Sequence, residues 1–261
     1  MKVVVFFNEK GGTGKTLFTS MFACWLAYKK KEKVMVYDCD FPNYQLFQMR
    51  QRNKETVRSG NRNLCRFLGD DEFFKVGKFA GKEAFTPVEL ELLLSHLRSM
   101  AAEGGDGYLL LDLPGRFLAS DPAYKFSFAG AIDTVIIPVD SDIQSRASAM
   151  YLCAQMRSRE FKEQSGKPSG QDIMVFWNKE ASKERSGTVD WYAEAEEDFR
   201  LMGVEVAKVR AREFLTARRD APTFGFVRNT VCWPQQNVDR ACGYIEELFE
   251  EFKEHIDRQE Q

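Results

Sequence analysis

Apolar residues along the 261-residue chain gather in short runs and in longer stripes that recur every three or four positions. The runs cover residues 3–7, 34–37, 108–111, 134–139, 173–177 and 204–209, each bounded by turn or helix signals. Apolar runs of that length, unbroken over residues 3–7, predict strands buried on both faces, as in a parallel sheet. The stripes predict helices. Phe18, Met21, Phe22, Trp25 and Leu26 lie on one helical face. Thr86, Pro87 and Glu89 form the start of a second helix with a capping box, whose apolar face is Leu90, Leu93, Leu94 and Leu97. A third stripe runs through Val238, Ala241, Tyr244, Ile245, Leu248, Phe249 and Phe252. Strands that alternate with helices predict an α/β fold: a doubly wound, mostly parallel sheet flanked by helices, with right-handed crossovers.

One segment interrupts this rhythm. Residues 41–85 read as a peripheral elaboration of a single domain spanning residues 1–261, a length that suits one domain against a soft expectation of about 150 residues each. Arg50, Lys54, Arg58, Arg62 and Arg66 recur there at four-residue steps, but Gly60 and Asn61 would break a helix through all five, and a solvated face is expected.

Composition narrows the function. A net charge of −2 gives the chain no global attraction to nucleic acid, so any DNA contact must come from a local patch. The six cysteines form no CxxC pair, which argues against a zinc site, a disulfide framework or an iron–sulfur cluster. No leader pattern and no apolar run of about 20 residues is present, so a soluble, cytoplasmic protein is expected.

The chemistry lies in FFNEKGGTGKTLF, residues 6 to 18. The strict phosphate-loop spacing GxxxxGK(S/T) places glycines at 9 and 14, and Glu9 stands at the first of these. The physics of the loop is nevertheless intact. Gly11, Gly12 and Gly14, with Thr13 between them, let backbone N–H groups converge on an anion at the start of a helix. Lys15 adds a point charge, and Thr16 offers a hydroxyl to Mg²⁺. Strand, glycine loop and helix occur in the order such a loop requires. Lys10 is then a second lysine where one is enough to hold phosphate.

Ligands of open parallel sheets sit at the carboxyl ends of strands. Asp38 and Asp40 follow the second run and point to one side of an extended backbone. Asp112 ends the third run, where a carboxylate can hold Mg²⁺ directly or through water. Position suggests Asp38 for Mg²⁺ or loop support and Asp40 for orienting an attacking water.

KGGTGKT, the DCD segment and LLLDLPG together resemble the ParA/MinD superfamily of deviant Walker A, P-loop ATPases, across roughly residues 1–40 and 105–230. The resemblance implies ATP and Mg²⁺ as ligands and an ATP-state homodimer. Lys10 would cross to the partner's phosphates, as an arginine finger does. It further implies slow, partner-stimulated hydrolysis, a ParB-like adaptor, and nonspecific DNA as the surface held in the ATP state. By position, Asn178 is similar to the family's adenine contact. Arg210 stands where a proline is usual, beside the base site, and Arg212, Arg218 and Arg219 form the best local basic patch for DNA.

The chain also departs from the family. Asp40-Phe41-Pro42-Asn43-Tyr44-Gln45 replaces the usual DPQ, and FPNYQLFQMRQRNKE is similar to a branch of ParA-type proteins carried on conjugative mobile elements. The acidic stretch 246–254 does not suit anionic lipid, so no membrane partner is expected. A nucleotide-switched protein-interaction module without a DNA role is the alternative. A ligase or amidotransferase would need a further substrate pocket.

Overall fold

A computed structural model gives the fold and describes residues 1–40, 42–58, 75–78, 92, 95, 96, 99, 105–115, 129–179, 191–211 and 245–258. In chain order the elements are β1 (Lys2–Phe6), α1 (Lys15–Cys24), β2 (Val34–Asp38), α2 (Gln45–Arg58), β3 (Lys75–Lys78), β4 (Tyr108–Asp112) and β5 (Thr134–Val139). They continue with α3 (Ile143–Arg157), α4 (Arg159–Ser165), β6 (Asp172–Trp177), α5 (Trp191–Leu201), β7 (Glu205–Val206) and α6 (Ile245–Asp257). One π-helical turn, Trp25–Lys29, extends α1.

The described strands form a seven-stranded sheet in the order β3-β2-β4-β1-β5-β6-β7, with every neighbouring pair parallel. From β1 the chain moves outward to β2 and β3, returns to place β4 beside β1, and then crosses to β5. That reversal opens the crevice at the carboxyl ends of the central strands.

Alternation along each strand divides the core in two. Val3, Val5, Leu109, Leu111, Val135 and Ile137 face α3, α4 and α5 through Leu152, Cys153, Phe161 and Phe199. Val4, Phe6, Leu110, Ile136, Met174 and Phe176 face α1 and α6. On that second side aromatic rings join the loop-bearing helix to the last helix: Phe18 and Phe176 have centroids 4.6 Å apart, and Phe176 and Phe252 5.0 Å. Truncating one such buried ring costs about 3–5 kcal/mol.

The doubly wound sheet is as expected, and the six apolar runs all carry strands. Three details differ. Within residues 41–85, Lys75–Lys78 adds a strand that the apolar runs did not predict, β3, which pairs in parallel with β2 at an edge of the sheet. Arg50 is buried at 5% exposure, so the stepwise cations do not all line a solvated face. The last run is strand only at Glu205–Val206, because the Lys208 and Val209 N–H groups turn to the Glu251 carboxylate of α6. Leu90, Leu93, Leu94 and Leu97 of the capping-box helix lie outside the described residues, as do Val238, Ala241 and Tyr244.

Candidate functional site

The loop between β1 and α1 has a geometry that could receive an anion. Gly14 is the N-cap of α1 at φ 96° and ψ 12°, offers no side-chain cap, and precedes a first turn without acidic residues. The first-turn N–H groups and the positive end of the helix dipole are thus left for a ligand. A Cβ on Gly14 would also stand 2.9 Å from Asn178 Nδ2, so glycine is required there twice over. Gly12 has φ 74°, a second left-handed position in the loop.

A buried asparagine braces this loop. Asn8 Nδ2 donates to the Pro138 carbonyl at 2.9 Å, and Asn8 Oδ1 accepts from the Lys10 N–H and from the Ser148 hydroxyl, both at 3.0 Å. Lys15 Nζ donates to the carbonyls of Asn8 (2.9 Å) and Lys10 (3.0 Å). Burial lowers the Lys15 pKa, while the charges of Asp112 and Asp40 oppose that shift.

The three strand-end carboxylates stand in different surroundings. Asp112 pairs across the ladder with Asp38 and is fully buried. Its Oδ1 accepts from the Thr16 hydroxyl at 3.1 Å, and its Oδ2 has no hydrogen-bond partner among the described residues. Burial, with Asp38 beside it, pushes its pKa up to about 8. Asp38 accepts the Asp40 N–H on Oδ1 (3.1 Å) and the Phe47 N–H on Oδ2 (2.8 Å), which ties the start of α2 to the site. Burial raises the Asp38 pKa and also that of the half-buried Asp40, against a hydrogen bond from Asn43 and the charge of Lys15. Cys39 between them is buried, and its thiol pKa is pushed well up, so it packs rather than reacts.

These residues suit a hard divalent cation. A hydroxyl and an orphaned, buried carboxylate oxygen stand side by side, and that carboxylate ionises at an ordinary pH once a cation balances it. Among the described residues no group of three His, Cys, Asp or Glu forms a metal cage, so phosphate oxygens and water would complete the coordination, as is usual for Mg²⁺. Bound there, Mg²⁺ would neutralise charge on a triphosphate.

Lys10 points elsewhere. Its Nζ donates to Asp142 Oδ2 at 2.7 Å and to Gln144 Oε1 at 3.0 Å, at the N-terminus of α3. Asn178 Nδ2 donates to the Thr13 carbonyl at 2.7 Å, so this residue adjoins the phosphate loop itself. Arg210 is bonded to Glu196 at 2.9 Å and covers the Tyr192 ring at 4.5 Å. Arg212, Arg218 and Arg219 lie outside the described residues.

Sequence reasoning did not single out Asn8, Asp142 or Gly115. A Cβ on Gly115 would lie 3.1 Å from the Glu9 carbonyl and 3.2 Å from Lys15 Nζ, which makes DLPG a close neighbour of the loop. Asn8 left one signal, a polar residue directly after an unbroken buried run.

Residues 4–114 match the family model described as the CobQ/CobB/MinD/ParA nucleotide binding domain. No curated protein matches the sequence. Among solved structures, the MinD cell division protein of Aquifex aeolicus superposes with a TM-score of 0.62 at 16% identity, covering 97% of each chain. A ParA family ATPase from Chlorobium tepidum gives 0.55 at 15% identity over 92% of this chain and 95% of its own. An ATP complex of a Cyanothece McdA variant gives 0.53 at 16% identity over 98% and 96%. At these identities the likeness is one of fold. The family-model match adds a likeness, over residues 4–114, to the CobQ/CobB/MinD/ParA nucleotide binding domain, within a fold that the MinD and ParA structures share.

Proposed function

We propose that this protein is an ATP-switched, dimerising ATPase of the ParA kind, which holds nonspecific DNA in its ATP state and serves partition of a plasmid or mobile element. The observation that carries this reading is the position of Lys10. One lysine, Lys15, lies over the loop, while the other is held at the exposed head of α3 by Asp142 and Gln144, poised to leave its own subunit. From that head runs an apolar stripe, Ile143, Ala147, Tyr151 and Ala154, exposed at i, i+4, i+8 and i+11. Ile143 is 77% exposed and Tyr151 58%. A second copy seated on this stripe would bury it and receive Lys10 at its triphosphate.

In this reading Gly11, Gly12, Thr13 and Gly14 cradle the phosphates and Lys15 balances their charge. Thr16 and Asp112 hold Mg²⁺, and Asp38 ties α2 to that centre. Asp40 orients the attacking water. Asn178 and Arg210 border the base, and Arg212, Arg218 and Arg219 meet DNA phosphates. Hydrolysis, stimulated by a ParB-like adaptor in the cytoplasm, removes the γ-phosphate and with it the site for the partner's lysine. Among the described residues no helix is long and apolar enough to cross a membrane.

The net charge of −2 favours a second reading, a nucleotide-switched protein-interaction module that ignores DNA. Retention of random-sequence duplex DNA with ATP·Mg²⁺ and with ADP separates the two. ATP-dependent retention that falls steeply with salt supports partition. ATP-dependent dimers that ignore DNA leave the interaction module.

A further inference from the structure

We propose that Asp140 and Lys179 form a positioning pair for the nucleotide, acting through Asn178; the inference rests on the nucleotide reading above. Lys179 follows β6 and holds φ 60°, a left-handed conformation that residues with side chains rarely adopt. Its Nζ donates to Asp140 Oδ2 at 2.8 Å, across to the carboxyl end of β5. The side chains are 25% and 12% exposed, so the pair is mostly out of water. Asp140 Oδ1 is buried with no hydrogen-bond partner among the described residues. Loss of Lys179 would leave that carboxylate buried and uncompensated, a strongly unfavourable state.

The turn so held has a defined output. The Lys179 N–H donates to Asn178 Oδ1 at 2.8 Å, and the Asn178 N–H donates to the Val139 carbonyl at 2.6 Å. With backbone and carbonyl oxygen fixed, the planar amide has one orientation, and its Nδ2 donates to the Thr13 carbonyl at 2.7 Å. Asn178 thereby supports the phosphate loop from the side of the base. It keeps a second amide hydrogen and a second lone pair for a ligand atom. The ion pair offsets the strain of the left-handed turn, the turn aims the amide, and the amide sets the loop. Neither Asp140 nor Lys179 reaches reacting atoms in this scheme, so the pair governs affinity and leaves the chemical step alone.

The test measures binding of N-methylanthraniloyl-ATP with Mg²⁺, and steady-state turnover, for the full-length parent, Asp140→Asn, Lys179→Met, Lys179→Arg and Lys179→Gly. Asp140→Asn and Lys179→Met should each raise Kd and KM about tenfold with kcat unchanged, and Lys179→Arg should restore most of the loss. Lys179→Gly relieves the left-handed strain, which offsets part of the cost of leaving Asp140 unpaired, and it should still show a similar loss of affinity because the turn is no longer pinned. A parental Kd in Lys179→Gly overturns the proposal, as does a fall in kcat at parental Kd in any variant. A parent that binds no ATP overturns the proposed function together with this inference, whereas ATP binding that is equally tight in all five proteins overturns the inference alone.

Discussion

Lys10 and Asp142 form an ion pair, Nζ to Oδ2 at 2.7 Å, that holds the lysine before the glycine loop against the N-cap of α3. A hydrogen bond from Lys10 draws the Asp142 carboxyl below its usual pKa. In the proposed dimer, Asp142 would compete with a partner's phosphates for the same ammonium. Asp142→Asn removes the charge but keeps an oxygen able to cap α3. It should leave the melting temperature unchanged and move ATP-dependent dimerisation to a few-fold lower protein concentration, read by light scattering over a dilution series.

The apolar stripe on α3 gives a second, independent handle. Ile143→Glu or Tyr151→Glu places a carboxylate where a second copy would seat, and both positions are exposed in the monomer. ATP binding and thermal stability should remain parental, because surface changes of this kind cost within about 0.5 kcal/mol. Dimer formation with ATP should be lost in the same light-scattering series.

Asp112 should separate folding from function. Its carboxyl is buried, its pKa is pushed up to about 8, and among the described residues it accepts one hydrogen bond, from Thr16. Asp112→Asn removes a costly buried charge from the ligand-free protein, so its melting temperature at pH 8 should rise. Affinity for ATP in the presence of Mg²⁺ should fall at least about tenfold, the cost of losing one charge-assisted contact, whereas affinity in the presence of EDTA should change little.

A pH dependence is expected far from the nucleotide. His255 on α6 has Nδ1 hydrogen-bonded to Glu205 at 3.0 Å and Nε2 3.0 Å from Asp172 without hydrogen-bond geometry, and both carboxylates favour the imidazolium. Burial lowers its pKa, but the two carboxylates outweigh burial and hold it above 6.5. A folded pKa above the unfolded value stabilises the fold below the unfolded pKa, and that stabilisation disappears as pH climbs through the folded one. Between about pH 6 and about pH 9 the parent should therefore lose melting temperature relative to His255→Gln, in which this contribution is absent.

The buried strands and the loop were legible because each expresses one strong constraint. A strand covered on both faces must be apolar throughout, and a loop that receives phosphate must contain glycines beside a lysine. β3 expresses neither constraint. Lys75-Val76-Gly77-Lys78 is an edge strand with polar ends, and its glycine is there because a Cβ would meet the Tyr37 ring at 2.8 Å. That constraint is tertiary and leaves no periodicity to read. The burial of Arg50 escaped for the same reason. Asp38 was expected to serve Mg²⁺ or the loop; its bonds to the Asp40 and Phe47 N–H groups depend on where α2 begins, which spacing does not fix. Lys10 was legible as a surplus lysine, whereas its resting partner Asp142 is 132 positions away and only the fold brings them together.

The decisive measurement is the mass in solution of the parent and of Lys10→Ala, each with ATP·Mg²⁺ and with ADP. The parent should be dimeric with ATP and monomeric with ADP, and Lys10→Ala should remain monomeric with both while still binding ATP through Lys15. If Lys10→Ala dimerises with ATP as readily as the parent, the lysine does not complete a partner's site and the proposed switch is wrong.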